Sequence, residues 1–97
     1  MLNTEILQAV ATQMMGGTTV VVEDKTVLVS RTSSQRLKTV RFEMAGREYQ
    51  AIEQNPEKPS RWGQLAREGH QVVQFRDVAT GTYVAVSVDG KVTEYGR

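Results

Sequence analysis

The sequence predicts a single α+β domain over residues 1–97: an N-terminal helix, then a mainly antiparallel meander sheet of about seven strands, with a short helix inserted at about residues 60–68. Three observations lead to it. Apolar residues recur at helical spacing near the N-terminus, the pattern changes to alternation from residue 18, and a proline-containing stretch interrupts the alternation at 55–70. A curled or partly closed barrel is the alternative arrangement of the same strands.

The N-terminal helix is predicted over residues 3–15. Asn3 or Thr4 can cap its free N–H groups, and Gly16–Gly17 predicts a left-handed exit at its end. One face carries apolar residues every four positions: Ile6, Val10 and Met14. This stripe requires a cover, which is either the sheet or a second copy of the chain.

Two hairpins are predicted over residues 18–53. The first turn is placed at Asp24–Lys25, followed by a strand over 26–31, and the second turn at Ala45–Gly46, where glycine takes positive φ at low cost. In the second hairpin, alternate residues share one apolar face: Val40, Phe42 and Met44.

A loop and a short helix are predicted over residues 55–70, because two prolines interrupt the strand pattern and Ser60 is a suitable N-cap. Trp62 is expected either as a buried anchor that fixes this insert to the sheet or as an exposed recognition residue. Residues 71–95 then predict a three-stranded meander.

The composition excludes several kinds of site. The chain has no cysteine and one histidine, so disulfides, thiolate metal sites and a cluster of histidine ligands are excluded, and no cofactor or metal is predicted. No apolar run is long enough to span a bilayer, and no basic start of a secretory signal is present. We therefore expect no membrane association and a cytoplasmic location, by default in a bacterium.

The charge is unevenly distributed although the net charge is only +1. Residues 31–76 hold nine Lys and Arg against five Glu, and no acidic residue lies between 31 and 41. Basic residues beside Ser and Thr are typical of phosphate contacts, but they also protect exposed strand edges from aggregation. The predicted ligand-binding residues are Arg31, Arg36, Lys38, Arg41, Arg61, Trp62, Arg67 and His70.

The leading hypothesis is a small non-enzymatic binding module. Its partner, a protein or a nucleic acid, would contact the basic segment 31–41 and the insert 55–70. One alternative is a small enzyme that uses His70 with a nearby carboxylate such as Asp77 or Glu68, although no residue is assigned as catalytic. Another is a homodimeric structural protein that pairs through the N-terminal helix.

Overall fold

The computed structural model describes residues 3–57 and 59–96. Within these residues the elements in chain order are α1 (Thr4–Gly16), β1 (Thr19–Val22), β2 (Lys25–Leu28), β3 (Ser30–Arg31), β4 (Lys38–Met44), β5 (Arg47–Glu53), α2 (Arg61–Arg67), β6 (Val72–Asp77), β7 (Tyr83–Ser87) and β8 (Thr93–Gly96). The predicted α+β class is confirmed. Neither helix of the described chain has the length and apolar content needed to cross a membrane.

Helix α1 begins at a side-chain cap. The Asn3 carboxamide oxygen accepts hydrogen bonds from the backbone N–H groups of Glu5 (2.9 Å) and Ile6 (3.4 Å), as the sequence predicts. The prediction of a left-handed residue at the end of α1 is wrong. Gly17 is extended at φ −161°, and the chain continues into β1. The stripe of α1 that faces the rest of the chain is buried: Leu7, Val10, Ala11 and Met14.

Strands β1 and β2 form a two-stranded hairpin with its turn one residue earlier than predicted. Val22 pairs with Lys25, so the two turn residues are Glu23 and Asp24 rather than Asp24 and Lys25. Both have positive φ, 49° and 64°, which is the conformation of a type I′ turn. Such a turn matches the right-handed twist of the flanking strands.

The strand predicted over 26–31 is divided between two sheets. Leu28 still pairs with β1, whereas Ser30 pairs with β4 in the larger sheet. Between them, the Val29 N–H donates to the Thr18 carbonyl at 2.8 Å. The division adds one short strand, β3, to the seven that the sequence predicts.

The larger sheet is a six-stranded antiparallel meander in the order β3-β4-β5-β6-β7-β8. Strands β3 and β8 are its two edges, so the sheet is open and the barrel alternative is wrong. Directly paired residues point to the same face. One row on the inner face is Val40, Ala51, Phe75 and Val84, and the next row, on the outer face, is Arg41, Gln50, Arg76 and Tyr83.

The core lies between the inner face of this sheet and a layer formed by α1 and the β1–β2 hairpin. Phe42 is central to it. Its ring contacts Phe75 edge-on with centroids 6.2 Å apart and stacks against Tyr49 at 5.7 Å. The chain therefore covers Val10 and Met14 of the predicted α1 stripe, whereas Ile6, the first residue of that stripe, remains 39% exposed.

Helix α2 lies on the outer face of the sheet, against β6. Glu94, which pairs with the buried Ala85 on that face, forms an ion pair with Arg61 at 3.4 Å and places the first turn of α2 beside β8. Trp62 is half-buried, intermediate between the two expectations. The outer face beyond α2 stays open around Arg76.

Both ends of α2 are capped, and the cap at its start is the one that the sequence predicts. The Ser60 hydroxyl accepts from the Gly63 N–H at 3.2 Å. At the other end Gly69 takes a φ of 95°, and the His70 N–H donates to the Leu65 carbonyl at 2.9 Å. These caps hold a helix that is too short to be stable alone.

Candidate ligand-binding cleft

A braced loop between β3 and β4 forms one wall of a cleft. Thr32 closes this loop, because its N–H donates to the Leu37 carbonyl at 2.9 Å and its hydroxyl accepts from the Leu37 N–H at 3.0 Å. The Arg36 N–H donates to the Thr32 carbonyl at 3.1 Å. Arg36 itself has a φ of 54°, a left-handed conformation that is uncommon outside glycine. The loop thus holds a strained residue in place, as binding loops often do.

Two arginines of the predicted set belong to this wall. The Arg31 guanidinium donates from Nη1 to the Arg36 carbonyl at 2.7 Å and so braces the left-handed residue. The Arg36 side chain is exposed and has no ion-pair partner among residues 3–57 and 59–96. Its guanidinium can therefore bind a ligand without first losing an internal partner.

The opposite wall is the end of β5 and the turn that follows it. The Asn55 side-chain oxygen accepts from the Glu57 N–H at 2.9 Å, which fixes the turn. The Pro56 carbonyl accepts a hydrogen bond from the Arg67 guanidinium at the end of α2. This hydrogen bond connects the wall to α2, although Arg67 itself does not line the cleft.

Two adjoining concavities of about 290 and 540 Å³ lie between these walls. We call them together the 31–57 cleft. Both are lined by the same central residues: Ser34, Gln35, Leu37, Glu53 and Asn55. The smaller one opens onto the outer face of the sheet at Ile52 and Gln74. The larger one reaches Arg31, Arg36 and Glu57.

The cleft carries charges of both signs. Arg31 and Arg36 lie on one wall, and Glu53 and Glu57 lie on the other. One Glu53 oxygen accepts from the Lys38 N–H at 2.8 Å and leaves the second oxygen for other contacts. With the hydroxyl and carboxamide groups between them, these side chains can hydrogen-bond a ligand that has both donors and acceptors.

The acidic wall was predicted only in part. The sequence indicated the basic segment 31–41 and the insert 55–70, which includes Asn55 and Glu57, but it did not indicate Glu53 or Gln54 at the end of β5. The one available signal was the Asn55-Pro56 pair, which favours a turn directly after a predicted strand.

The remaining predicted residues lie outside the cleft. Lys38 donates from Nζ to the Met15 carbonyl at 3.0 Å, near the end of α1. Arg41 is on the outer face, where it pairs with Glu48 at 3.5 Å. Arg61 lies 5.9 Å from the ring centroid of Trp62 on α2.

His70 also lies outside the cleft. Its partner is neither Asp77 nor Glu68, the two carboxylates that lie near it in the sequence. Its Nδ1 lies 2.7 Å from an Asp89 carboxylate oxygen in the β7–β8 turn. Hydrogen bonds from the Ser87 hydroxyl, the His70 ring and the Lys91 N–H hold the pKa of Asp89 well below its usual range, although partial burial opposes them. Because an ionised carboxylate only accepts, Nδ1 carries the proton.

This cluster ties the end of α2 to the sheet. Ser87 is fully buried, and its oxygen accepts from the Val92 N–H at 2.9 Å. The aspartate sits between the serine and the histidine, so the order of contacts differs from that of a nucleophile activated by histidine. The geometry describes a structural clamp that holds α2, and through Arg67 the Pro56 wall.

A double-mutant cycle tests the clamp. His70→Ala and Asp89→Ala are each expected to lower the free energy of unfolding at neutral pH, and the double variant to lose less than the sum, because either change alone already removes the shared hydrogen bond. Urea denaturation measures all four proteins. Additive losses would contradict the clamp, and Lys91→Gln, an exposed change in the same turn, is the control.

No group of three or more His, Asp or Glu side chains in the described part of the chain is placed to hold a metal ion. Comparison with known proteins finds no matching family model, no matching curated protein and no matching solved structure.

Proposed function

We propose that this chain is a non-enzymatic binding module and that a segment of a partner protein lies in the 31–57 cleft. The observation that carries the proposal is the cleft itself, which brings together the basic 31–37 segment and the beginning of the 55–70 insert. Taken together, the two concavities of the cleft are within the size range of ligand sites, about 300–1,000 Å³.

The mixed chemistry of the cleft favours a polypeptide. A peptide presents N–H donors and carbonyl acceptors at every residue, which suits the carboxamides of Gln35 and Asn55. Arg36 would bind an acidic side chain of the partner, and Glu57 a basic or N–H group. Leu37 and Ile52 offer an apolar floor for a side chain between them.

The same balance of charge argues against a nucleic acid as the main ligand. Phosphates that approached Arg31 and Arg36 would also approach Glu53 and Glu57. Elsewhere, Arg41 and Arg61 are already paired with glutamates. A net charge of +1 is far from the strongly basic surface that marks nucleic-acid binders.

The decisive test uses peptides selected from a random displayed library against the whole chain. Arg36→Ala is expected to weaken the selected peptides by about tenfold or more, because a charged hydrogen bond is worth about 1.5–3 kcal/mol. Arg61→Ala is the control, since Arg61 is also an exposed arginine but lies outside the cleft. Fluorescence anisotropy gives the affinities, and amide NMR shifts locate the bound peptide.

Two results would contradict the proposal. Equal losses for Arg36→Ala and Arg61→Ala would mean that binding does not depend on the cleft. The second contradicting result would come from a parallel titration with pooled single-stranded and duplex nucleic acids. If nucleic acid gave salt-sensitive amide shifts clustered at 31–41 and peptide gave none, the partner would be a phosphate-bearing molecule rather than a protein.

A further inference from the structure

A second concavity, at the other end of β4 from the 31–57 cleft, lies between α1 and β1. It has a volume of about 250 Å³ and is mainly apolar, with Ile6, Ala9, Val21 and Met44 in its lining. We call it the apolar groove. Ile6 and Val21 remain 39% and 52% exposed, so two large apolar side chains face solvent at one opening. An exposed apolar concavity of this kind is typical of a docking site.

The one charged residue among the described residues that line the groove is acidic. It is Glu23, and one of its oxygens accepts from the Ala45 N–H at 3.0 Å. Two more acidic residues adjoin lining residues in the sequence, Glu5 before Ile6 on α1 and Asp24 after Glu23 in the β1–β2 turn. The sequence contains no Lys or Arg before Lys25, so the only charged side chain of α1 is that of Glu5, and β1 has none. Arg47, the register partner of Met44, is already paired with Asp77 at 2.7 Å.

The outer edge of β1 beside the groove is partly blocked to strand addition. One of its outward backbone donors, the Val21 N–H, is bound by the Gln13 side-chain oxygen at 3.0 Å. A partner strand would have to displace Gln13 before it could pair with this edge. Entry of a side chain between Ile6 and Val21 requires no such displacement.

We propose that the apolar groove docks a short basic amphipathic segment of a partner protein. A large apolar side chain enters between Ile6 and Val21, and Lys or Arg residues beside it face Glu5 and Glu23. The groove is slightly smaller than a typical small-molecule pocket, which suits one anchoring side chain. Opposite charges on the groove and on the docked segment supply the specificity. This docking is independent of the 31–57 cleft.

The probes are two short amphipathic peptides with the same leucine spacing, one with lysines and one with glutamates. Titrated into the isotope-labelled whole chain, the Leu/Lys peptide is expected to shift the amides of Ile6, Ala9 and Val21, with an affinity that falls as salt rises. Val21→Lys should weaken it about tenfold or more by like-charge repulsion. Val78→Lys, the same change at a 42% exposed valine outside the groove, should leave the affinity unchanged.

Glu5→Gln provides a second variant that keeps the hairpin intact, and we expect it to weaken the Leu/Lys peptide by a smaller factor. The proposal is overturned if the Leu/Glu peptide binds as tightly, if Val78→Lys weakens binding as much as Val21→Lys, or if neither peptide shifts the groove amides. Groove amides that shift with protein concentration alone would show instead that a second copy of the chain occupies the site.

Discussion

Replacing Phe75 with alanine is expected to lower the free energy of unfolding by about 3–5 kcal/mol. Phe75 is fully buried at the centre of the inner-face row, between Ala51 and Val84, and its ring meets Phe42 edge-on. The loss combines the transfer of the ring to water with the cavity that remains. Because small domains have only about 5–15 kcal/mol of stability, a large share of it would be removed.

Urea denaturation followed by tryptophan fluorescence measures this loss, since the chain has a single tryptophan. Tyr95→Ala is the control, because Tyr95 is 65% exposed on the edge strand β8 and should cost about 1 kcal/mol or less. Phe75→Leu should fall between the two. A Phe75→Ala loss no larger than that of Tyr95→Ala would contradict the position of the core.

The second large effect concerns Asp77, a buried carboxylate at the end of β6. One of its oxygens accepts from Arg47 Nε at 2.9 Å and from Nη2 at 2.7 Å. The other accepts from the N–H groups of Ala79 at 2.9 Å and Thr80 at 3.3 Å. Burial raises the pKa of Asp77, but these hydrogen bonds and the charge of Arg47 outweigh burial, so the net pKa is lowered.

Asp77→Asn is therefore expected to lower stability most at neutral pH. A carboxylate whose pKa is lower in the folded state stabilises that state fully above its unfolded pKa, about 3.9, and this contribution is lost as the pH falls toward the folded pKa. The gap between wild type and Asp77→Asn should consequently narrow below about pH 4. Urea denaturation at several pH values measures that gap.

Glu43→Gln is the matched control for Asp77→Asn, because Glu43 is an exposed carboxylate on β4. We expect it to change stability little. If the gap for Asp77→Asn had the same size at pH 7 and at pH 3, the loss would arise from altered packing of the amide rather than from the charge of Asp77.

Much of the fold could be predicted because its signals are local. Alternation at Val40, Phe42 and Met44 identifies the buried face of β4, and Ala45–Gly46 forms a turn in which both residues have positive φ. The division of the second strand at Val29 could not be predicted. It depends on which neighbouring strand offers a free edge, and that is a property of the assembled sheet.

The candidate site was predicted only in part, for two different reasons. Lys38 and Arg41 are an odd number of positions apart on one strand, so their side chains point to opposite faces of the sheet and do not contribute to one site. The pairing of His70 with Asp89 joins residues 19 positions apart, and nothing in the local pattern of either indicates the other.

The position of α1 has a consequence for the order in which the protein can form during synthesis. Every strand of the larger sheet pairs with its neighbour along the chain, so each hairpin can close soon after it leaves the ribosome. Helix α1 is made earlier, yet it packs on β7, and Gln8 bonds the Val88 carbonyl across 80 positions. The part of its apolar stripe that packs on β7 must therefore stay exposed to water until the last third of the chain has emerged, whereas the part that contacts β1 and β4 can be covered earlier.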